Sequence, residues 1–402
     1  MQVEAQQSVT KRRVFYVPGY DPFHPRRYRE LYRKESASQA KISDYEVNLS
    51  PKQGGGTYGW HVSSKIDGYE VQTDVDVLVW SDLVQSSMSQ GIFSTYWQLL
   101  KTAWLYIGTG SLGRLMRLRK GPVIAALYPI GVLVLQLVVA LLITWAVGTV
   151  LALLHPYLFW LGFAAIWPVL EWFRRKDNKI FAYYLMHDYA YSSQFRGANP
   201  VELDHRLQEF RKIVEAALSD NVDEVLVVGH SSGAHLAVHV LADILRDRPL
   251  SDGGPKLAFL SLGQVVPMMS FLPDAHILRR DLQQMSEQDQ IFWLDVTAPG
   301  DGCAFALCDP VSVSGVARES KKWPLVISAA FTQTLSPARW NELKRRYFRL
   351  HFQYLCAFDQ PGDYDYFKIT AGPMTMAERF AARAPSKSRI EKPVNKYADI
   401  AP

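Results

Sequence analysis

The segment Glu224-Val-Leu-Val-Val-Gly-His-Ser-Ser-Gly-Ala-His-Leu-Ala-Val-His-Val-Leu-Ala242 sets the reading of the whole chain. Val225 to Val228 is a short, β-branched apolar run bounded by polar residues, the pattern of a buried strand. Ala234 to Leu245 is rich in Ala, Leu and Val and has the length and propensity of a helix. Between them, Gly229-His230-Ser231-Ser232-Gly233 fits G-x-S-x-G. That pattern puts a serine on a tight strand-to-helix turn, with its hydroxyl above the sheet and a helix N-terminus aimed at the same spot. Glycine is needed on both sides, because the two backbones pass too close for a Cβ.

Composition narrows the partners. The 402-residue chain carries a net charge of +5, and its basic residues cluster beside an apolar middle instead of along one amphipathic face. This favours a membrane surface over nucleic acid. Cys303, Cys308 and Cys356 are sparse, odd in number and without a C-x-x-C spacing, so neither a disulfide framework nor a zinc site is expected; reduced cytoplasmic thiols are. Met1 to Arg13 lacks the apolar core of a secretion signal. Gly108-Thr-Gly-Ser-Leu-Gly113 matches G-x-G-x-x-G but opens no βαβ unit, and uncharged apolar sequence fills the place of a ribose-binding acid. No metal or cofactor is expected.

Strands are expected at Val14–Val17, Tyr45–Leu49, Trp60–Ile66, Asp74–Trp80, Leu257–Leu262, Ile291–Val296 and Leu325–Phe331, with a flexible tip at Gly54-Gly55-Gly56. A helix should run from a start at Asn199-Pro200 to Leu218, carrying Leu203, Leu207, Phe210, Val214 and Ala217 on one face. Phe181 to Gln194 is aromatic-rich and resists assignment. Strands alternating with helices indicate an α/β fold, a mostly parallel sheet with helices on both faces. Residues 14–110 and 180–384 would form one domain, and the Pro/Lys/Ser-rich residues 385–402 a disordered tail.

Gly121 to Leu170 interrupts that domain with fifty residues free of Asp, Glu, Lys and Arg. A membrane span takes about 20 apolar residues, so residues 121–172 are expected to form a two-helix transmembrane hairpin. Its turn lies near Gly148-Thr149 or at His155-Pro156. Arg114, Arg117, Arg119 and Lys120 precede the run, and Arg174, Arg175, Lys176 and Lys179 follow it. Basic residues at both ends place both on the cytoplasmic side.

A serine hydroxyl needs a base to become a nucleophile, and imidazole suits the task. On a sheet of this kind the partners follow in the order Ser, Asp or Glu, His. Asp301, Asp295 and Asp309 qualify as the acid by order. Asp301 is favoured because Pro299-Gly-Asp-Gly302 is a turn beyond a strand end, where flanking glycines let the carboxylate be aimed. His351 is the one histidine downstream of those acids, and so the expected base. Two backbone N–H groups should form an oxyanion hole. One belongs to Ser232; the other comes from Pro18-Gly19-Tyr20, with Tyr20 preferred to Gly19.

Val17-Pro-Gly-Tyr-Asp-Pro22, Gly229-His-Ser-Ser-Gly233, Pro299-Gly-Asp-Gly302 and His351 together resemble the α/β-hydrolase superfamily, in that family's order. The resemblance implies Ser231 as nucleophile, Asp301 as acid, His351 as base and an oxyanion hole at Tyr20 and Ser232. Together with the apolar hairpin and its basic flanks, which hold the site near the bilayer on the cytoplasmic side, this gives the expectation of a membrane-anchored serine hydrolase cleaving a carboxylic ester or thioester. A lipid-like, acyl-chain substrate is expected from the hairpin and not from the resemblance. The competing expectation is a non-catalytic scaffold that keeps the fold and binds membrane partners.

Overall fold

The computed structural model describes residues 8–247 and 253–401. Eight strands form one sheet: β1 (Lys11–Val17), β2 (Glu46–Pro51), β3 (Gly59–Ile66), β4 (Tyr69–Val77), β5 (Glu224–His230), β6 (Lys256–Leu262), β7 (Ile291–Thr297) and β8 (Leu325–Ser328). Their spatial order is β2-β3-β4-β1-β5-β6-β7-β8. From β4 to β8 all neighbours are parallel, whereas β2, β3 and β4 pair antiparallel. The chain is thus an α/β protein with a mostly parallel sheet.

Residue alternation along β1 divides the core. Phe15 and Val17 face one apolar layer with Val225, Val227, Phe259 and Trp293. Val14 and Tyr16 face the other with Leu226, Val228, Leu260 and Leu294. Helix α1 (Arg26–Ser43) covers the second layer through Tyr28 and Tyr32; helices at Val201–Ala217 and Gly233–Asp247 cover the first. The link from β3 to β4 was not foreseen. Asp67 (φ 50°) and Gly68 (φ 86°) are both left-handed there, the two-residue turn whose twist matches a hairpin.

The apolar insertion differs from the two-helix expectation. One helix, α3 (Lys120–Ala152, 33 residues), is long and apolar enough to cross a membrane, at about 50 Å by helical rise. The chain turns at Leu153–His155 and returns as a 3₁₀ helix, Pro156–Ala165, then a 10-residue α-helix, α4 (Ile166–Arg175). Pro168 supplies no N–H to the residue 164 carbonyl, which favours a new helix start there, and it lies in the first turn of α4 where that loss is tolerated. Proline alone does not forbid a continuous helix, since α3 carries Pro129 in its interior. The return arm packs hard on α3: a Cβ on Gly162 would lie 2.6 Å from Thr144 O and 2.7 Å from Gly148 Cα.

Residues 385–401, expected to be unstructured, run as an extended strap. Ile390 N donates to Leu307 O (2.7 Å) and Asp309 N to Ile390 O (2.9 Å). Arg279 pairs with Asp399 at 2.8 Å, and Ile390, Val394 and Ile400 pack on the core. These backbone bonds and the ion pair, with three apolar side chains at wide spacing, hold a segment whose composition is otherwise polar.

Candidate active site

The sheet order places the site. β1 lies between β4 and β5, and the chain leaves it toward the β2–β4 side of the sheet, while β5 begins the other side. The loop after β1 and the turn after β5 therefore emerge side by side at the strands' carboxyl ends, the usual place for a crevice in an open α/β sheet. A cavity of about 480 Å³ lies there, lined by Gly19, Tyr20, Ser231, Ser232 and His351 among others.

Ser231 closes β5 with φ at 57°, a left-handed conformation costing a non-glycine residue about 1–3 kcal/mol. Its N–H donates to Leu262 O at 2.9 Å, which fixes the turn to the neighbouring β6. The helix Gly233–Asp247 starts two residues later, so close to the loop after β1 that a Cβ on Gly233 would sit 2.1 Å from Val17 O and 2.7 Å from Pro18 O. Backbone oxygens cannot rotate aside. Gly233→Ala is expected to lower the free energy of unfolding by about 3 kcal/mol, the upper end of overpacking costs, read as a lower denaturant midpoint.

His351 ends a short helix, Tyr347–His351, and is buried. Its Nδ1 meets Asp301 Oδ2 at 2.7 Å. Asp301 also accepts from Tyr354 OH (3.0 Å) and from Cys303 N (2.9 Å). Burial alone would raise the Asp301 carboxyl; the charge and hydrogen bond of His351, with the Cys303 and Tyr354 donors, hold it below the usual value. His351 Nε2 is buried without a hydrogen-bond partner among the described residues. No hydrogen bond joins it to Ser231, although both line the same cavity. Such bonds commonly tighten only when substrate is bound.

The other two acids are used elsewhere. Asp295 Oδ1 accepts from Ser261 Oγ at 2.6 Å within the sheet, and burial pushes its carboxyl up to about 8. Asp309 caps the short helix Pro310–Val313 through Val311 N and Ser312 N and pairs with Lys321 at 2.6 Å. Neither touches His351.

The expected oxyanion donors are adjacent but not both open. Tyr20 N donates to Ser232 Oγ at 2.9 Å, so the hydroxyl next to Ser231 occupies a buried donor that would otherwise be unsatisfied. The Ser232 N–H makes no hydrogen bond to a described residue. Trp80 Nε1 holds the loop by donating to Pro18 O at 2.9 Å. His230, beside the serine, donates from Nε2 to His351 O at 3.0 Å, and burial with the nearby His351 charge lowers it to about 3. It is a neutral brace for the His351 backbone.

Asp301, Cys303 and His351 offer ligand atoms within 4.8 Å of one another, the one grouping among the described residues that could hold a metal ion. Burial, then the Asp301 charge, drives the Cys303 thiol far above its ordinary value. A protonated thiol beside a carboxylate already engaged by imidazole is a poor ligand set.

The sequence reading missed a wall of the cavity. Residues 182–193 form helix α5 (Ala182–Ser193). Tyr184, Leu185, Asp188, Tyr189 and Ser192 line the cavity, while Ala182, Tyr183, Met186 and Ala190 pack away from it. The spacing of three and four among the lining residues was the available signal; uniformly aromatic character hid it. Asp188 is half-buried, and burial raises its carboxyl to about 7 against a lowering by His351. No protein-family model, curated protein or solved structure matches the chain.

Proposed function

We propose that the chain is a membrane-anchored serine hydrolase of the α/β-hydrolase superfamily, cleaving acyl esters or thioesters through an acyl-enzyme. The observation that carries this reading is the convergence on one cavity of a strained Ser231 and a His351 whose Nδ1 is held by Asp301 and whose Nε2 is free. Ser231 Oγ attacks the acyl carbonyl and passes its proton to His351 Nε2, and Asp301 stabilises the imidazolium. Ser232 N–H receives the oxyanion, joined by Tyr20 N–H once Ser232 Oγ turns away. His351 then protonates the leaving alcohol or thiol, and water releases the acyl group by the same route in reverse.

An acyl-chain substrate is supported by the surroundings. The cavity is mostly apolar, and a second, wholly apolar pocket of about 90 Å³ adjoins it through Tyr106, Tyr189 and Met268, against Val123 and Ala126 at the foot of α3. Along α3, Leu135, Leu142, Trp145 and Val150 are exposed. Helix α2 (Ile92–Gly108) adds an outward stripe, Phe93, Trp97, Leu100, Trp104 and Ile107, each between 51% and 82% exposed. Its spacing is that of a helix lying in a membrane interface. Basic clusters on both flanks of the insertion favour the cytoplasmic leaflet.

Full-length protein in phospholipid vesicles, assayed on acyl esters and acyl thioesters from two to sixteen carbons, tests the reading. Hydrolysis rising with chain length is expected. Equal rates on short soluble and long esters overturn the acyl-chain substrate. No hydrolysis by folded protein favours the non-catalytic scaffold, for which the absent Ser231–His351 hydrogen bond is the structural argument.

A further inference from the structure

Asp188 is the acid of this cavity without a partner. It makes no hydrogen bond or ion pair with a described residue, yet it lines the cavity with Ser231 and His351. The other charged groups of the lining are compensated. Asp177 caps α5 by accepting from Tyr183 N (2.9 Å) and Tyr184 N (3.0 Å). Arg27 pairs with Asp21 at 3.0 Å, and its guanidinium lies 4.8 Å from the Phe23 ring centre and 5.2 Å from that of Phe352. Around Asp188, the titratable neighbours are Tyr20, Tyr106, Tyr184, Tyr189 and His351.

Those neighbours are also rings. Tyr184 lies 6.1 Å from Tyr20, 6.2 Å from Phe181 and 6.2 Å from Phe348, and Phe181 and Phe348 are 5.2 Å apart. All four line the cavity. A contiguous aromatic wall offers the negative faces of its rings to a cation, most effectively where water is excluded. One uncompensated carboxylate among several aromatic rings suits a bulky organic ammonium better than a small metal ion, which needs several oxygen ligands.

We propose that Asp188 and the ring wall of Tyr20, Phe181, Tyr184 and Phe348 bind a cationic nitrogen on the alcohol side of the substrate. This rests on the hydrolase reading above and narrows it to acyl esters of amino or quaternary-ammonium alcohols. The apolar pocket against α3 takes the chain and the α5 wall the head, with the scissile carbonyl at Ser231 in the same cavity.

The linkage has a definite sign. Without a cation, burial favours the protonated Asp188 carboxyl. A bound ammonium favours the carboxylate, so binding releases a proton and affinity rises as pH increases through neutrality.

The test measures binding of choline, and of its neutral isostere 3,3-dimethylbutan-1-ol, to full-length protein in detergent micelles by isothermal titration calorimetry. Wild type and Ser231→Ala should bind choline at least tenfold more tightly than the isostere. Choline affinity should gain about tenfold between pH 6 and pH 8. Asp188→Asn, similar in size, should lose that preference and the pH dependence, while Asp188→Glu keeps both. Equal binding of choline and the isostere to wild type, or an unchanged choline preference in Asp188→Asn, overturns the proposal. The binding readout does not use the reaction. Choline binding without ester hydrolysis would sink the hydrolase and leave the cation site, whereas hydrolysis without choline preference would do the reverse.

Discussion

Replacing His351 with alanine is expected to slow ester hydrolysis by about a million-fold, and also to lower stability, because the buried Asp301 carboxylate loses its imidazole partner. Removing a triad base leaves only binding and oxyanion contributions over water, and losses of this order follow in serine hydrolases. Ser231→Ala should cost as much, and the double variant should be no slower than either single one, because nucleophile and base act as a unit. Asp301→Asn should lose about 10²–10⁴-fold: an amide cannot stabilise the imidazolium, and it presents the wrong partner to Nδ1. Asp295→Asn, which alters a carboxyl bonded only to Ser261, should leave the rate within about threefold, the small change expected of a residue off the reaction path. Initial rates on one long-chain ester separate these cases.

Glu224→Ala should destabilise the protein by about 3–5 kcal/mol, the cost of breaking a buried ion pair on one side. Arg12 Nε meets Glu224 Oε2 at 2.6 Å, with side chains 0% and 1% exposed. Arg12 also donates to Gly372 O (2.8 Å) and Met374 O (2.6 Å), and Met376 N donates to Glu224 Oε1 (2.7 Å). The pair thus ties the starts of β1 and β5 to the 372–376 loop, at the sheet end opposite the serine. Alanine at 224 leaves the guanidinium buried and unpaired. Arg12→Met with Glu224→Leu should cost less than Glu224→Ala alone, since no orphan charge remains. Equilibrium unfolding in denaturant, with detergent held constant, reads both.

How far the sequence could be read followed from the physics of each segment. Val225–Val228 declared itself because a strand buried on both faces is uniformly apolar, and the glycine-flanked Ser231 admitted few conformations. His351 was found by chain order and Asp301 by its glycine-flanked turn, order having left Asp295 and Asp309 open as well, and the 2.7 Å contact brings the two together. Order could not reveal that the Ser232 hydroxyl takes the Tyr20 N–H, a side-chain choice made locally. The return arm was misread because hydropathy counts apolar residues and does not distinguish a continuous α-helix from the 3₁₀ stretch Pro156–Ala165 followed by the short α4. The strap at 385–401 was missed for the converse reason: its composition is polar, and its order comes from backbone bonds to Leu307 and Asp309 that no local pattern encodes. Helix α5 was hidden because aromatic residues fall on both its faces, Tyr183 against the α3 bundle and Tyr184 and Tyr189 toward the cavity, which blurs the helical period.

In the hydrolase proposed above, Ser231 is a nucleophile activated by His351. That activation is tested most directly by treating folded full-length protein in vesicles with a fluorophosphonate and locating the adduct by peptide mass spectrometry. One adduct is expected, on Ser231, formed far more slowly in His351→Ala and absent in Ser231→Ala. Folded wild-type protein that forms no adduct, or one that persists on another residue in Ser231→Ala, would contradict it.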